Sequence, residues 1–162
     1  MKKMWKRFVS LLLACTLLAG MLPLSASAAE KPGEGSNQYQ YAKGILDQLN
    51  NELGYGDSKF LLSPAAPLGG DSDLFTYVIS RFYIDPVTNE GTTDMRYVIV
   101  PGVGASDTTM PNYSSAKDGQ PWAKAAVSTF YIAKGVTGIG SYAFASQPSL
   151  NNVVFQDASD LT

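Results

Sequence analysis

Apolar and polar positions divide the chain into stretches with different periods. Phe8 to Leu24 is an almost unbroken apolar run behind a basic head of Lys2, Lys3, Lys6 and Arg7. In "NQYQYAKGILDQLNNELG" (37–54) apolar residues recur at 42, 45, 46, 49 and 53, the i, i+3, i+4 stripe of an amphipathic helix. Ser36 or Asn37 can cap its start, and Gly54 can end it in the left-handed conformation. Gly44 weakens this helix by about 1 kcal/mol relative to alanine. Such a stripe most often docks on a sheet. Two stretches rich in aromatic and β-branched residues, "LFTYVISRFYI" (74–84) and "MRYVIVP" (95–101), predict strands. The polar segment Asp85 to Asp94 suits a hairpin connection between them. It does not fit a helix–loop–helix calcium template, because position 3 is Val87 and position 6 is Glu90. Residues 57–73 and 101–121 carry prolines, glycines and serines and read as loop. Apolar character resumes at "WAKAAVSTFYIAKGV" (122–136).

Gly138, Gly140 and Ala143 then spell G-x-G-x-x-A, a form of the dinucleotide-binding fingerprint, with Asp157 following as a potential ribose partner. That reading requires a strand running straight into the first glycine and a crossover helix of a dozen or more residues after it. Five residues, Ala133 to Thr137, separate "FYI" from Gly138, and only seven lie between Gly140 and Pro148. The crossover does not fit. A repeat does. "VSTFYI" (127–132) and "LNNVVF" (150–155) are both apolar-x-x-apolar-x-apolar, and each apolar position recurs after 23 residues. This is the L-x-x-L-x-L core of a leucine-rich repeat, whose period lies between about 20 and 29 residues. Glycines 138 and 140 then become backbone bends, and Ala143 and Phe144 core fillers.

"V-x-x-F-x-I-A-K-G-V-T-G-I-G-S-Y-A-F" (127–144) resembles the BspA-like leucine-rich repeat family, most specifically at Ile139-Gly140 and Ala143-Phe144. The resemblance covers about residues 96–162, with Ala133 where proline is usual and Gln147 where a small residue is usual. "GVG" (102–104), "MPNYSS" (110–115) and "PW" (121–122) are similar to the segment that often introduces such an array. The resemblance implies an exported bacterial surface or secreted protein that engages proteins or host surfaces through a solenoid. The expected fold is therefore an α+β N-terminal region, an amphipathic helix plus an antiparallel β-hairpin (37–100). It leads through a Gly/Ser/Pro-rich introducing segment (101–126) into the start of a leucine-rich repeat β-solenoid (127–162). Termination at "DASDLT", in mid-repeat, adds the expectation that the chain is the N-terminal part of a longer protein.

The basic head, the apolar run and "SASAA" (25–29) with Ala26-x-Ala28 together read as a signal peptide cleaved near Ala28, followed by a polar linker over 29–36. Cys15, the single cysteine, falls inside it as a small hydrophobe. Cleavage removes four of the twelve cations and none of the fourteen acids, leaving eight against fourteen and a formal charge of −6. That balance disfavours nucleic acid, which needs clustered Lys and Arg. No later apolar run approaches membrane length, so no membrane span is expected in the mature chain.

The chain has no histidine and, after the signal, no cysteine, so nucleophile–histidine arrangements and the usual N/S zinc sites are not expected. Carboxylates remain: Asp71 with Asp73, or Glu90 with Asp94, have the spacing of an acid/base pair, but acids crowd into polar loops anyway. Tyr83, Tyr97 and Tyr131 lie on predicted strands, most simply as half-buried sheet residues. The expectation is a noncatalytic protein without cofactor or metal, secreted or on the cell surface, binding a protein or host-surface ligand. The contact face would be the outward strand positions Ser128, Thr129, Tyr131, Asn151, Asn152 and Val154. The alternative is an accessory or targeting region of a secreted hydrolase whose catalytic domain lies further along.

Overall fold

A computed structural model describes residues 29–53, 59–114 and 119–162. The expected signal peptide with Cys15, and the expected Gly54 cap, lie outside them.

The helical stripe forms α1, Asn37–Leu53. Ser36 caps it: its Oγ accepts from the Tyr39 N–H at 3.1 Å, an interaction worth about 1 kcal/mol. Ala42, Ile45 and Leu49 are buried beneath it, and Lys43 pairs with Asp47 one turn on along the exposed side. At the far end the Arg81 guanidinium donates to the Leu53 carbonyl, satisfying an orphan acceptor of the last turn. Asn50 anchors the helix to the following chain, exchanging two hydrogen bonds with the Phe60 backbone at 2.7 and 3.1 Å.

Six strands follow: β1 (Leu61–Leu62), β2 (Ala66–Pro67), β3 (Leu74–Ile84), β4 (Gly91–Pro101), β5 (Val127–Ile132) and β6 (Asn152–Phe155). β3 and β4 form an antiparallel hairpin paired from Leu74↔Pro101 to Ile84↔Gly91. Its connection is shaped by Asp85, whose Oδ1 accepts from the N–H groups of Val87 and Thr88, and by Asn89 in the left-handed conformation (φ 57°). β1 and β2 pair antiparallel with β3. β5 pairs parallel with β4, and β6 parallel with β5.

This arrangement overturns the expected fold class. The helix and hairpin do not form a region that hands over to a solenoid; β5 and β6 extend the hairpin's own sheet, giving one open, mixed, six-stranded sheet in the order β1-β3-β4-β5-β6, with β2 beside β3. The physical reason lies in β4. Its residues 97–100 are buried on both faces, so an unpaired β4 edge would leave backbone N–H and C=O groups unsatisfied in an apolar setting. β5 supplies their partners. The 23-residue echo survives as strand register, Thr129↔Asn152 to Ile132↔Phe155, within that sheet.

Two cores result, one per face. On the helix side Ala42, Ile45 and Leu49 meet Phe60, Phe75, Tyr77, Ile79, Val98, Val100 and Ala133. On the other side, among the described residues, no helix covers the sheet; the irregular segments 102–114, 119–126 and 133–150 do. Trp122, fully buried, is their centre, with ring centroids 4.9 Å from Phe130, 5.4 Å from Tyr97 and 6.1 Å from Tyr113. Its indole N–H donates to the Ala143 carbonyl at 2.8 Å, so the one polar atom of the ring is satisfied. Burial pushes the Tyr113 phenol on this side up to about 12; burial, with Tyr131 nearby, does the same to Tyr41 on the other.

The covering segments are themselves stacked. Thr109 and Gly138 form a parallel bridge, and Met110 N–H, Thr137 N–H and Tyr113 N–H donate to Gly138, Thr108 and Ser141 carbonyls. Gly140 permits the contact: a Cβ there would run into the Pro111 carbonyl. The stretch from Glu30 to Ser36, expected as linker, is fastened by the Glu30–Val103 bridge and by the Tyr77 hydroxyl, which donates to the Pro32 carbonyl at 3.0 Å.

Candidate functional site

The G-x-G-x-x-A segment is packed, not presented. Gly138 lies against Thr109 and Gly140 under Pro111, and residues 141–146 form turns in place of a crossover helix. Asp157 is engaged structurally: the Ser159 N–H and hydroxyl, then Lys134 at 3.0 Å, hold its carboxyl well below the usual carboxylate range.

One member of each carboxylate pair, Asp73 and Asp94, is committed to structure. Asp73 accepts from the Ser106 N–H (2.8 Å), the Asp107 N–H (3.1 Å) and the Ser106 hydroxyl (3.0 Å), bonds that lower its pKa and staple the loop after β4. Asp94 binds Arg96 two residues on along the same strand face. Arg96 Nη2 donates to Oδ2 at 3.0 Å and Nε to Oδ1 at 3.4 Å, and each side chain is 14% exposed. Burial disfavours the Arg96 charge, but its hydrogen bonds to Asp94 and to the Tyr131 hydroxyl outweigh that and hold its pKa above the ordinary value. Among the described residues no three His, Cys, Asp or Glu side chains gather as metal ligands.

Around this ion pair the sheet opens into a groove of about 410 Å³ at the amino-terminal ends of β4, β5 and β6. Its floor depends on a bulge. Met95 pairs with Val127 but Arg96 with Thr129, so Ser128 is an extra residue, and its hydroxyl reaches Asp94 Oδ1 at 2.8 Å. Thr129 sits on the floor, and Asn151, Asn152 and Ser149 form one wall. Tyr83, Thr92 and Thr93 form the other. The Arg81 guanidinium stacks 4.7 Å from the Tyr83 ring centroid and holds that wall in place.

Four of the six candidate contact residues, Ser128, Thr129, Asn151 and Asn152, line this one groove. Asn151 and Asn152 are exposed, but the β5 positions do not form the outward row expected of them. Thr129 is only 4% exposed, and Tyr131 turns under the helix side, its hydroxyl accepting from Arg96 at 3.3 Å. The cause is the second cover: a strand with both faces covered has no outward row. Val154 is exposed on the edge strand and lies away from the groove lining. Asp94, Arg96, Tyr83 and Thr92 complete the site without having been expected there, because their neighbours across β4 and β5 follow from long-range pairing.

Among the described residues no helix is long and apolar enough to cross a membrane. Comparison with family models, with curated proteins and with solved structures finds no match to this chain.

Proposed function

We propose that this chain is an exported, noncatalytic binding protein that meets a protein or cell-surface ligand through the groove between Tyr83 and Asn152. The observation that carries the reading is the gathering of Ser128, Thr129, Asn151 and Asn152, chosen from sequence as contact residues, around one groove. The groove's charged groups support it further. The Asp94 carboxylate is already occupied by Arg96 and Ser128, which suits a fixed recognition surface better than proton transfer, where a carboxylate must exchange its partners. Export rests on the basic, apolar and small-residue order of residues 1–28.

The test is cell binding. Purified protein carrying a fluorophore is titrated onto intact bacterial and epithelial cells, and the double variant Asn151→Arg, Asn152→Arg is compared with the original. Both positions are exposed, so circular dichroism should show the fold retained. Saturable binding that drops about tenfold or more in the variant supports the reading, since about 1.4 kcal/mol of lost contact suffices. Binding that ignores the variant places the contact elsewhere and defeats it.

A further inference from the structure

We infer that the ligand of this groove is a neutral, polyhydroxylated chain, a short glycan; the inference rests on the reading of the groove as the contact site. Three features of the groove point the same way.

The first is charge. Asp94 and Arg96 are the charged residues of the lining, and they neutralise one another through two hydrogen bonds. An anionic ligand would have to displace Asp94 from the guanidinium, and a cationic one would have to displace Arg96 from the carboxylate. A ligand without charge displaces neither, and it meets a pair of fixed dipoles already oriented by the sheet.

The second is the hydrogen-bonding inventory. Among the described residues the side chains of Thr92, Ser149, Asn151 and Asn152 make no hydrogen bond to protein, although all four line the groove. Each amide offers donors and an acceptor in one plane, and each hydroxyl offers both. Adjacent ring hydroxyls of a sugar present the matching pairs. A sulfated or phosphorylated group, which only accepts, would leave the amide oxygens unmatched.

The third is shape. Tyr83 provides an aromatic wall whose orientation Arg81 fixes, and the apolar C–H face of a pyranose packs against such a ring. A volume of about 410 Å³ falls within the roughly 300–1,000 Å³ of small-ligand sites. A folded protein partner, by contrast, seeks a desolvated centre of aromatic and apolar anchors. Here the centre is Thr129, Ser128 and an ion pair.

The experiment uses the full purified chain and immobilised hexasaccharides of glucose, galactose, mannose and N-acetylglucosamine, with heparin as the polyanionic comparison. Retention of at least one neutral hexasaccharide is expected. Asn151→Ala with Asn152→Ala should weaken it about tenfold, as expected for losing hydrogen bonds to bound hydroxyls. Tyr83→Ala should weaken it by a similar factor, because the wall against which the sugar face packs is lost. No retention of any neutral hexasaccharide at millimolar concentration, retention of heparin alone, or retention unchanged by the asparagine variant would each overturn the inference. Cell binding separates the two levels. If it depends on the asparagines but survives periodate oxidation of the cell surface and is lost on protease treatment, the glycan is wrong and the contact groove stands. If it is indifferent to the asparagines, both fall.

Discussion

The two faces of the sheet are buried by different means. On one, α1 supplies a regular stripe in which Ala42, Ile45 and Leu49 settle on Tyr77, Ile79 and Val98. On the other, described segments without helix or long strand bury Met110, Trp122 and Val136 almost completely, using aromatic rings and close backbone contact. Trp122 joins Tyr97, Tyr113 and Phe130 into one cluster, and the Met110–Gly138 and Tyr113–Ser141 hydrogen bonds hold the covering segments together. A helix satisfies its own backbone groups, so its cover is held mainly by side chains. An irregular cover must satisfy its backbone groups through neighbouring coils, so its stability is concentrated in a few contacts that admit no substitute.

The sharpest way to break that comparison is Trp122→Ala. It removes the ring shared by the cluster and leaves the Ala143 carbonyl without its indole donor. A loss of about 3–5 kcal/mol is expected, a large part of the stability of a domain this size. Leu49→Ala on the helix side should cost less, about 2–3 kcal/mol, because neighbouring helix residues can settle into the space. Urea midpoints by circular dichroism measure both. If Leu49→Ala is the more damaging change, the irregular cover is not the more concentrated of the two.

Gly140→Ala tests the backbone contact directly, and should cost about 1–3 kcal/mol, as overpacking does. The added methyl meets the Pro111 carbonyl, part of the main chain, which cannot rotate away. Gly138→Ala is the control within the same bend: its methyl meets the Thr109 side chain, which can shift, so a smaller loss is expected. Trp122 is the only tryptophan beyond residue 28, and its fluorescence reports whether the coil side loosens first. Equal effects at the two glycines would mean that the close approach is incidental.

The contrast between the faces also explains what could be read from the chain. The period of α1 is visible because a helix buries one side and wets the other. The strands are visible in their composition. Which strands share a sheet is not, since the β4–β5 pairing joins Arg96 to Thr129, residues far apart along the chain. A signal was nevertheless present: "YVIV" (97–100) is apolar at four successive positions, and a strand of that kind needs cover on both faces. Taking it at full weight would have made Trp122 core material for the second face, and Thr129 and Tyr131 interior positions of a shared sheet. At the groove, the polar residues of β5 and β6 stand out locally. Asp94 and Arg96 become neighbours of Ser128 only through the bulge, which no local pattern announces.

The smallest effect is expected on the helix side, with the opposite sign. Gly44 lies in the middle of α1, and a Cβ built there meets nothing within 4 Å. It therefore makes no close contact of the Gly140 kind, and its cost to the helix is the conformational freedom glycine loses on folding. Gly44→Ala should stabilise the protein by about 0.5–1 kcal/mol, seen as a higher urea midpoint with an unchanged denaturant slope. The same substitution thus has opposite signs at residues 44 and 140, because one glycine faces solvent and the other a carbonyl. A destabilising Gly44→Ala would mean that α1 also depends on a close contact, and the distinction between a self-sufficient cover and a mutually dependent one would fail.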